Sequence, residues 1–146
     1  MYEISNQKEL DKLLKYDSLD LNQFGINRFG DKRVLLKGSS YVINCSSRLI
    51  KSLPKIDFIG EDKTIVKLHN TEKGYSIGSG EEVSVFSPNY GFTFNNVFIT
   101  SEDYLEIVFT DREDLKSWKN VRFDTSVIGV YILLEEVRKF QEVLNS

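Results

Sequence analysis

The residue types best suited to covalent catalysis occur once each in this 146-residue chain, as Cys45 and His69. Their separation in sequence equals that between Val97 and Val121, which occur in two similar segments. If that separation is a structural repeat, a thiol and an imidazole lie on neighbouring turns and can form a thiolate–imidazolium pair. Spacing alone rarely places a nucleophile beside its base, so the favoured alternative is a buried Cys45 and a surface-loop His69. We assign no catalytic residue, no metal site and no cofactor, and leave enzymatic activity open.

Charge is unevenly distributed, although the net charge is only −3. Residues 28–67 contain nine basic and four acidic residues, whereas residues 81–114 contain eight acidic residues and one basic residue. The acidic stretch predicts a surface that attracts a basic protein partner, and a solvated surface without a partner is the favoured alternative. Nucleic acid is a less expected partner because the basic stretch has no base-stacking pattern.

Aromatic residues near predicted turns can contribute to a protein-binding or sugar-binding surface, and core packing is their alternative role. Tyr104 and Trp118 are of this kind. The segment from Gly74 to Gly80 lacks the residues of a phosphate-binding loop and is better explained as a turn between strands. The candidate binding residues are Glu81, Glu82, Glu102, Asp103, Tyr75 and Tyr90.

The elements that position these residues are mostly strands. The chain contains no alanine but has twelve valines and twelve isoleucines, a composition typical of β-structure. Nine short apolar runs separated by Gly, Asn, Ser and Asp occupy the centre of the chain. A capping box at Asn6 and Glu9 predicts a helix from Gln7 to Tyr16. Apolar residues at helical spacing predict a second helix at the C-terminus, with Leu133, Val137, Phe140 and Leu144 on one face.

Apolar residues also recur at nearly constant intervals of just over twenty positions, which predicts a solenoid. The anchors are Val34, Ile56, Ile77, Val97 and Val121. The last two occur in segments that share the pattern aromatic-x-Asn-Val-x-apolar. Asparagine at such corners tolerates left-handed backbone and can bond the peptide groups of the next turn.

The order of motifs resembles the start of right-handed parallel β-helix proteins of the pectate-lyase-like superfamily. A capping helix precedes the runs Gly38–Ile43, Ile56–Gly60 and Thr64–Val66, and the resemblance covers about residues 4 to 124. It implies a short right-handed β-solenoid with capping helices at both ends, and polysaccharide cleavage or tailspike binding. No catalytic residues of that superfamily can be carried over. An α+β fold or an antiparallel sandwich with terminal helices is the alternative.

We therefore expect one domain spanning residues 1–146 that acts as a non-catalytic protein-interaction module. A phage- or mobile-element-encoded inhibitor or an immunity-type binder is the class that fits best, and a carbohydrate-binding or polysaccharide-processing β-helix is the alternative. The chain has no signal-peptide pattern and no apolar run of membrane-spanning length, so we expect a cytoplasmic protein without a membrane partner. Exposed solenoid edges predict a homodimer.

Overall fold

The computed structural model describes residues 1–15, 24, 26, 31–45, 56–69, 72–76, 78, 80–88 and 92–132. Within these residues the chain is mainly β, with two short helices. The strands are β1 (Tyr2–Ile4), β2 (Arg33–Leu36), β3 (Ser40–Asn44), β4 (Ile56–His69), β5 (Glu72–Ser76), β6 (Glu82–Phe86), β7 (Phe92–Ser101), β8 (Tyr104–Phe109), β9 (Arg122–Phe123) and β10 (Val127–Ile132), and the helices are α1 (Gln7–Leu14) and α2 (Arg112–Lys116). The predicted C-terminal helix and Ile77 lie outside the described residues.

Helix α1 begins as its capping box predicts. The Asn6 side chain accepts a hydrogen bond from the Glu9 backbone N–H at 3.0 Å, and the Glu9 carboxylate accepts one from the Ser5 N–H at 3.0 Å. The helix buries its three leucines, Leu10, Leu13 and Leu14. It ends at Leu14 and is therefore two residues shorter than the sequence predicts.

Two sheets make up the β-structure. The first has the strand order β1-β2-β4-β7-β9, with β3 also paired to β4, and all of its pairs are parallel. Both β2 and β3 lie along β4, one on each side of a bend after Gly60, so this sheet is curled. The second has the order β10-β8-β6-β5 and is parallel except for the β5–β6 hairpin. The strand directions therefore do not match an antiparallel sandwich.

The register confirms one of the four predicted steps between anchors and corrects the other three. Phe98 pairs with Arg122, which is the offset that the similarity of the two segments predicts. Val34 pairs with Phe58, two residues beyond the expected Ile56. Ile56 itself pairs directly with Phe92, so the two predicted steps through Ile77 are one longer step. The β5–β6 hairpin falls within this long step and accounts for its extra length.

The bend within β7 and the bend just before β9 each carry an asparagine with left-handed backbone. Asn96 has φ 59° and Asn120 has φ 55°, and the Asn120 amide donates to the Asn96 side-chain oxygen at 2.8 Å. The Asn96 amide donates in turn to the Gly60 carbonyl at 3.0 Å. Gly60 has no room for a side chain, because a Cβ there would lie 2.4 Å from the Asn96 carbonyl oxygen. The predicted bonding of a corner asparagine to a peptide group of the neighbouring strand is confirmed for Asn96, whereas Asn120 bonds the Asn96 side chain instead.

Inward-facing residues of both sheets form one hydrophobic core. Phe58 and Phe94 stack with ring centroids 5.8 Å apart on neighbouring strands. Trp118 meets Phe94 from the first sheet and Phe109 from the second edge-to-face, at 5.0 Å and 5.1 Å. Trp118 thus packs in the core, as the alternative to a surface role predicts. Candidate functional residues are therefore sought on the outer faces and ends of the sheets.

Candidate functional site

Cys45, directly after β3, lies beside His69 at the end of β4, but their side chains do not meet. The Cys45 N–H donates to the His69 carbonyl at 2.8 Å, while the Cys45 side chain is 2% exposed inside the core. Burial raises the pKa of the Cys45 thiol to about 12, so the thiol is protonated at neutral pH. The His69 side chain is on the surface, where its Nδ1 lies 2.7 Å from the Glu102 carboxylate. The predicted thiolate–imidazolium pair is not formed: Cys45 is buried as the alternative predicts, whereas the loop position predicted for His69 is wrong.

Glu102, one of the predicted binding residues, is occupied by contacts within the protein. In addition to His69, its carboxylate lies 3.7 Å from the Lys67 ammonium. Both partners belong to β4 of the first sheet, whereas Glu102 follows β7. Glu102 therefore links the ends of the neighbouring strands β4 and β7, and the Lys67 ammonium partly offsets its charge as a contact for an external partner.

The strand register brings four of the predicted acidic residues to one end of the second sheet. Val83 of β6 pairs with Tyr104 of β8, so Glu82 lies level with Asp103 at the N-terminal ends of these parallel strands. Glu81 and Glu102 immediately precede them in the chain. Three other acidic residues of the stretch, Asp111, Glu113 and Asp114, follow the opposite end of β8 in and beside α2. The acidic stretch is thus divided between two ends of the sheet.

The outer face of the second sheet carries exposed tyrosines around one carboxylate. Tyr75 of β5 is 47% exposed and its hydroxyl donates a hydrogen bond to Glu106 of β8, reaching across β6. This hydrogen bond raises the pKa of the Tyr75 hydroxyl above its usual value. Tyr131 of β10 is 49% exposed, and its ring covers Gly129, where a Cβ would lie 2.3 Å from the Tyr131 hydroxyl oxygen. Because Gly129 pairs with Glu106, Tyr131 extends this surface across β10.

Tyr104 connects these tyrosines to the acidic end of the sheet. It alternates along β8 with the buried Leu105, so it lies on the same outer face as Glu106, and it is 38% exposed. Val83 is fully buried although its strand register places it on this face between Tyr75 and Tyr104. We call this surface the tyrosine face, defined by Tyr75, Tyr104, Glu106 and Tyr131.

Sequence reasoning identified part of the tyrosine face. It selected Tyr75 as a binding candidate, and exposure of this residue in β5 excludes the core alternative. The alternation of Tyr104 and Glu106 with Leu105 and Ile107 indicates their shared face. No local pattern indicates that Tyr131 lies on the same face as Tyr75, because this placement depends on the order of β5, β6, β8 and β10. Tyr90 lies outside the described residues.

The three described glycines of the Gly74–Gly80 segment do not form a phosphate cradle. Gly74 belongs to β5, and the described Gly78 and Gly80 have no neighbouring atom within 4 Å of a Cβ placed on them. Gly80 has φ +85°, a conformation that favours glycine in a turn. The interpretation of this segment as a turn between strands is confirmed for these glycines, except that Gly74 is inside a strand.

In the described part of the chain, no cluster of three or more His, Cys, Asp or Glu side chains has the arrangement of a metal site. None of the helices in that part has the length and apolar character needed to cross a membrane. Comparison with protein-family models, curated proteins and solved structures gives no match to this chain. The site must therefore be interpreted from its own geometry.

Proposed function

We propose that this protein is a non-catalytic interaction module that binds a basic protein through the tyrosine face and the acidic end of the second sheet. The observation that carries the proposal is the exposed Tyr75–Glu106 hydrogen bond with Tyr104 and Tyr131 beside it. An inhibitor or immunity-type binder from a phage or mobile element is the class to which such a module belongs.

The composition of this surface suits protein recognition. Tyrosine gives a large contact area at low entropic cost and is enriched among residues that dominate binding energy. Carboxylates beside it attract a basic partner over longer distances and raise its association rate. Glu82 and Asp103, which lie level on adjacent strands, are positioned for this second role.

The test begins with capture of a partner from the native host and measurement of its affinity for purified variants. We expect Tyr75→Ala to weaken binding by about 2 kcal/mol, roughly thirtyfold, if this residue is central to the interface. Glu82→Lys with Asp103→Lys should slow association, with an effect that diminishes in high salt. Glu102 is left unchanged because its carboxylate binds Lys67 and His69.

Glu113→Lys is the matched control, since Glu113 is an exposed acidic residue of α2 that follows the opposite end of β8. Its effect on the complex should be negligible. Equal affinities for the parent protein, Tyr75→Ala and the double reversal would contradict the proposal. The same is true if Glu113→Lys weakens the complex as strongly as the double reversal does.

We also propose that the two sheets are two faces of a short parallel β-helix. The support is that the consecutive strands β7, β8, β9 and β10 alternate between the two sheets. Strand β9 pairs in parallel with β7, and β10 pairs in parallel with β8. A crystal structure tests this proposal by tracing whether the chain winds in one direction through both sheets. A structure in which β7, β8, β9 and β10 do not wind in one direction would exclude it.

Carbohydrate is the second candidate ligand because the exposed rings of Tyr75, Tyr104 and Tyr131 offer faces on which sugars stack. A glycan array with the parent protein and with Tyr131→Ala separates this candidate from the first. Glycan binding that Tyr131→Ala abolishes would favour carbohydrate. The absence of binding across a broad array would leave the protein partner as the better proposal.

A further inference from the structure

A groove at the bends of the first sheet is lined by cationic and amide side chains. It has a volume of about 560 Å³ and is lined by Lys63, Asn96, Val97, Asn120 and Arg122. This volume falls within the range of small-molecule sites. None of these residues belongs to the tyrosine face, so the groove is independent of the function proposed above.

The fold places three of these residues at equivalent positions of successive turns. Lys63, Asn96 and Asn120 all have positive φ, at 73°, 59° and 55°. The pairs Thr64–Val97 and Asn95–Lys119 put the three bends in line along the stack. With strands about 4.8 Å apart, the line from Lys63 to Asn120 measures roughly 10 Å. The amides of Asn96 and Asn120 are fixed by their hydrogen bonds to the neighbouring turns.

The two cations that line this groove are Lys63 and Arg122. Neither Lys63 nor Arg122 forms an ion pair with a side chain that the structure describes. The Arg122 guanidinium lies 5.9 Å from the centre of the Phe98 ring, on the neighbouring strand, which holds it by a cation–π contact. Glu61, in the same bend as Lys63, is directed at the Gly38 N–H of the preceding turn, 3.4 Å away.

We propose that this corner groove binds the phosphate group of a small phosphorylated molecule. Two cations from different turns match the charge of a phosphate monoester, which is close to −2 at neutral pH. The planar guanidinium of Arg122 can donate two parallel hydrogen bonds to phosphate oxygens. Each of the Asn96 and Asn120 amide groups uses one N–H in these hydrogen bonds, and its second N–H can bond a hydroxyl group of the attached molecule, while Val97 supplies an apolar contact. A volume of about 560 Å³ exceeds that of phosphate alone, so the groove has room for a body of sugar size attached to the phosphate.

Isothermal titration calorimetry of the full chain tests the proposal with inorganic phosphate, glycerol 3-phosphate, glucose 6-phosphate, glucuronate and glucose. We expect at least one of the two phosphorylated organic molecules to bind more tightly than inorganic phosphate. Glucuronate, with one negative charge, should bind at least about tenfold more weakly, and glucose should not bind. Affinity should fall as the salt concentration rises, because the contacts are charged and accessible to solvent.

The double variant Lys63→Gln with Arg122→Gln should lose this binding by about tenfold or more. Lys119→Gln is the matched control, because Lys119 is an exposed cation next to Asn120 that does not line the groove. Glutamine at position 63 retains an unbranched side chain at a positive φ, and thermal unfolding of each variant checks that the fold is intact. Failure of all phosphorylated probes to bind below about 1 mM would overturn the proposal. So would equal affinity for glucuronate, or retention of binding by a folded double variant.

Discussion

The N-terminal and C-terminal ends of the β-structure differ in how their strand edges and apolar surfaces are covered. At the N-terminal end, the Gln7 side chain acts like a short piece of neighbouring strand. Its amide donates to the Val42 carbonyl at 2.8 Å and accepts from the Val42 N–H at 2.7 Å. Helix α1 adds three buried leucines to the core at this end. The backbone groups of Val42 and apolar surface of the core are therefore both covered at this end.

The C-terminal end has more exposed apolar surface in the described residues. Strand β9 contains only two residues, and Phe123 within it is 36% exposed. On β10, the exposed fractions are 44% for Ile128, 36% for Val130 and 49% for Tyr131. The position of β10 at the end of the second sheet leaves one of its edges without a strand partner among the described residues.

This difference indicates that the two ends contribute unequally to stability. Strand edges that are not covered invite pairing with another chain, and a side-chain cap prevents it. The free energy of folding should therefore depend on apolar contacts at the N-terminal end far more than on those at the C-terminal end. The same chemical change made at both ends tests that expectation.

The largest effect is expected from Ile4→Ala in β1, compared with Ile128→Ala in β10. Ile4 is fully buried, and its truncation should lower the free energy of unfolding by about 2 to 4 kcal/mol, from lost burial and from the cavity left behind. Ile128 already contacts solvent, so the identical substitution should cost about 1 kcal/mol or less. Urea unfolding followed by tryptophan fluorescence measures both, because Trp118 is in the core.

Equal losses at the two positions would show that Ile128 is covered in solution. Measurement over a range of protein concentrations then identifies how. A loss that depends on concentration indicates a second copy of the chain, as the predicted homodimer requires. A loss that does not depend on concentration indicates cover from within the same chain.

A smaller effect is expected from removing the side-chain cap with Gln7→Ala. Two hydrogen bonds to Val42 are lost, each worth about 1 kcal/mol in net stability, so unfolding should become easier by about 1 to 2 kcal/mol. The uncapped edge of β3 should also increase aggregation during refolding. Lys8→Ala is the control for the helix itself, since Lys8 is exposed on α1. Light scattering and urea unfolding that do not distinguish the two variants would exclude a capping role for Gln7.

The sequence predicts elements better than it predicts how they are arranged. The capping box of Asn6 and Glu9 depends on neighbouring residues, and its hydrogen bonds form as expected. The pairing of Phe98 with Arg122 is also confirmed, because two similar segments pair with each other. The step through Ile77 is wrong because a constant interval cannot reveal an inserted hairpin.

The candidate sites are harder to predict because they combine distant segments. Tyr75 reaches Glu106 across an intervening strand, and a chain read in order gives no sign of that contact. The groove depends on Lys63 having left-handed backbone, which is uncommon for lysine and is imposed here by the bend of β4. Asparagine at the other corners was predictable because its own side chain favours that conformation.

The smallest effect is expected on the pH dependence of stability when either of two aspartates is replaced. One aspartate lies near each end of the first sheet. Asp31 precedes β2 and bonds Arg33 and the amino terminus, and these contacts hold its pKa well below the usual range. The pKa of Asp124 is lowered by hydrogen bonds from Ser126. A depressed pKa stabilises the folded protein fully above the unfolded-state value of about 4, and that stability is lost progressively as the pH falls from there through the lowered folded-state pKa. Asp31→Asn and Asp124→Asn should therefore each be less stable than the parent at pH 7 and converge with it at low pH.

Salt distinguishes the two aspartates, since the partners of Asp31 include two cations and those of Asp124 are a hydroxyl and backbone N–H groups. In about 1 M salt, the difference between the parent and Asp31→Asn at pH 7 should shrink, because exposed ion pairs are screened. The difference between the parent and Asp124→Asn should remain. Thermal unfolding at pH 3 and pH 7, with and without added salt, measures both. If the stability difference between the parent and Asp31→Asn does not change with salt, hydrogen bonding and not charge is the main way in which Asp31 stabilises the contact between the amino terminus and β2.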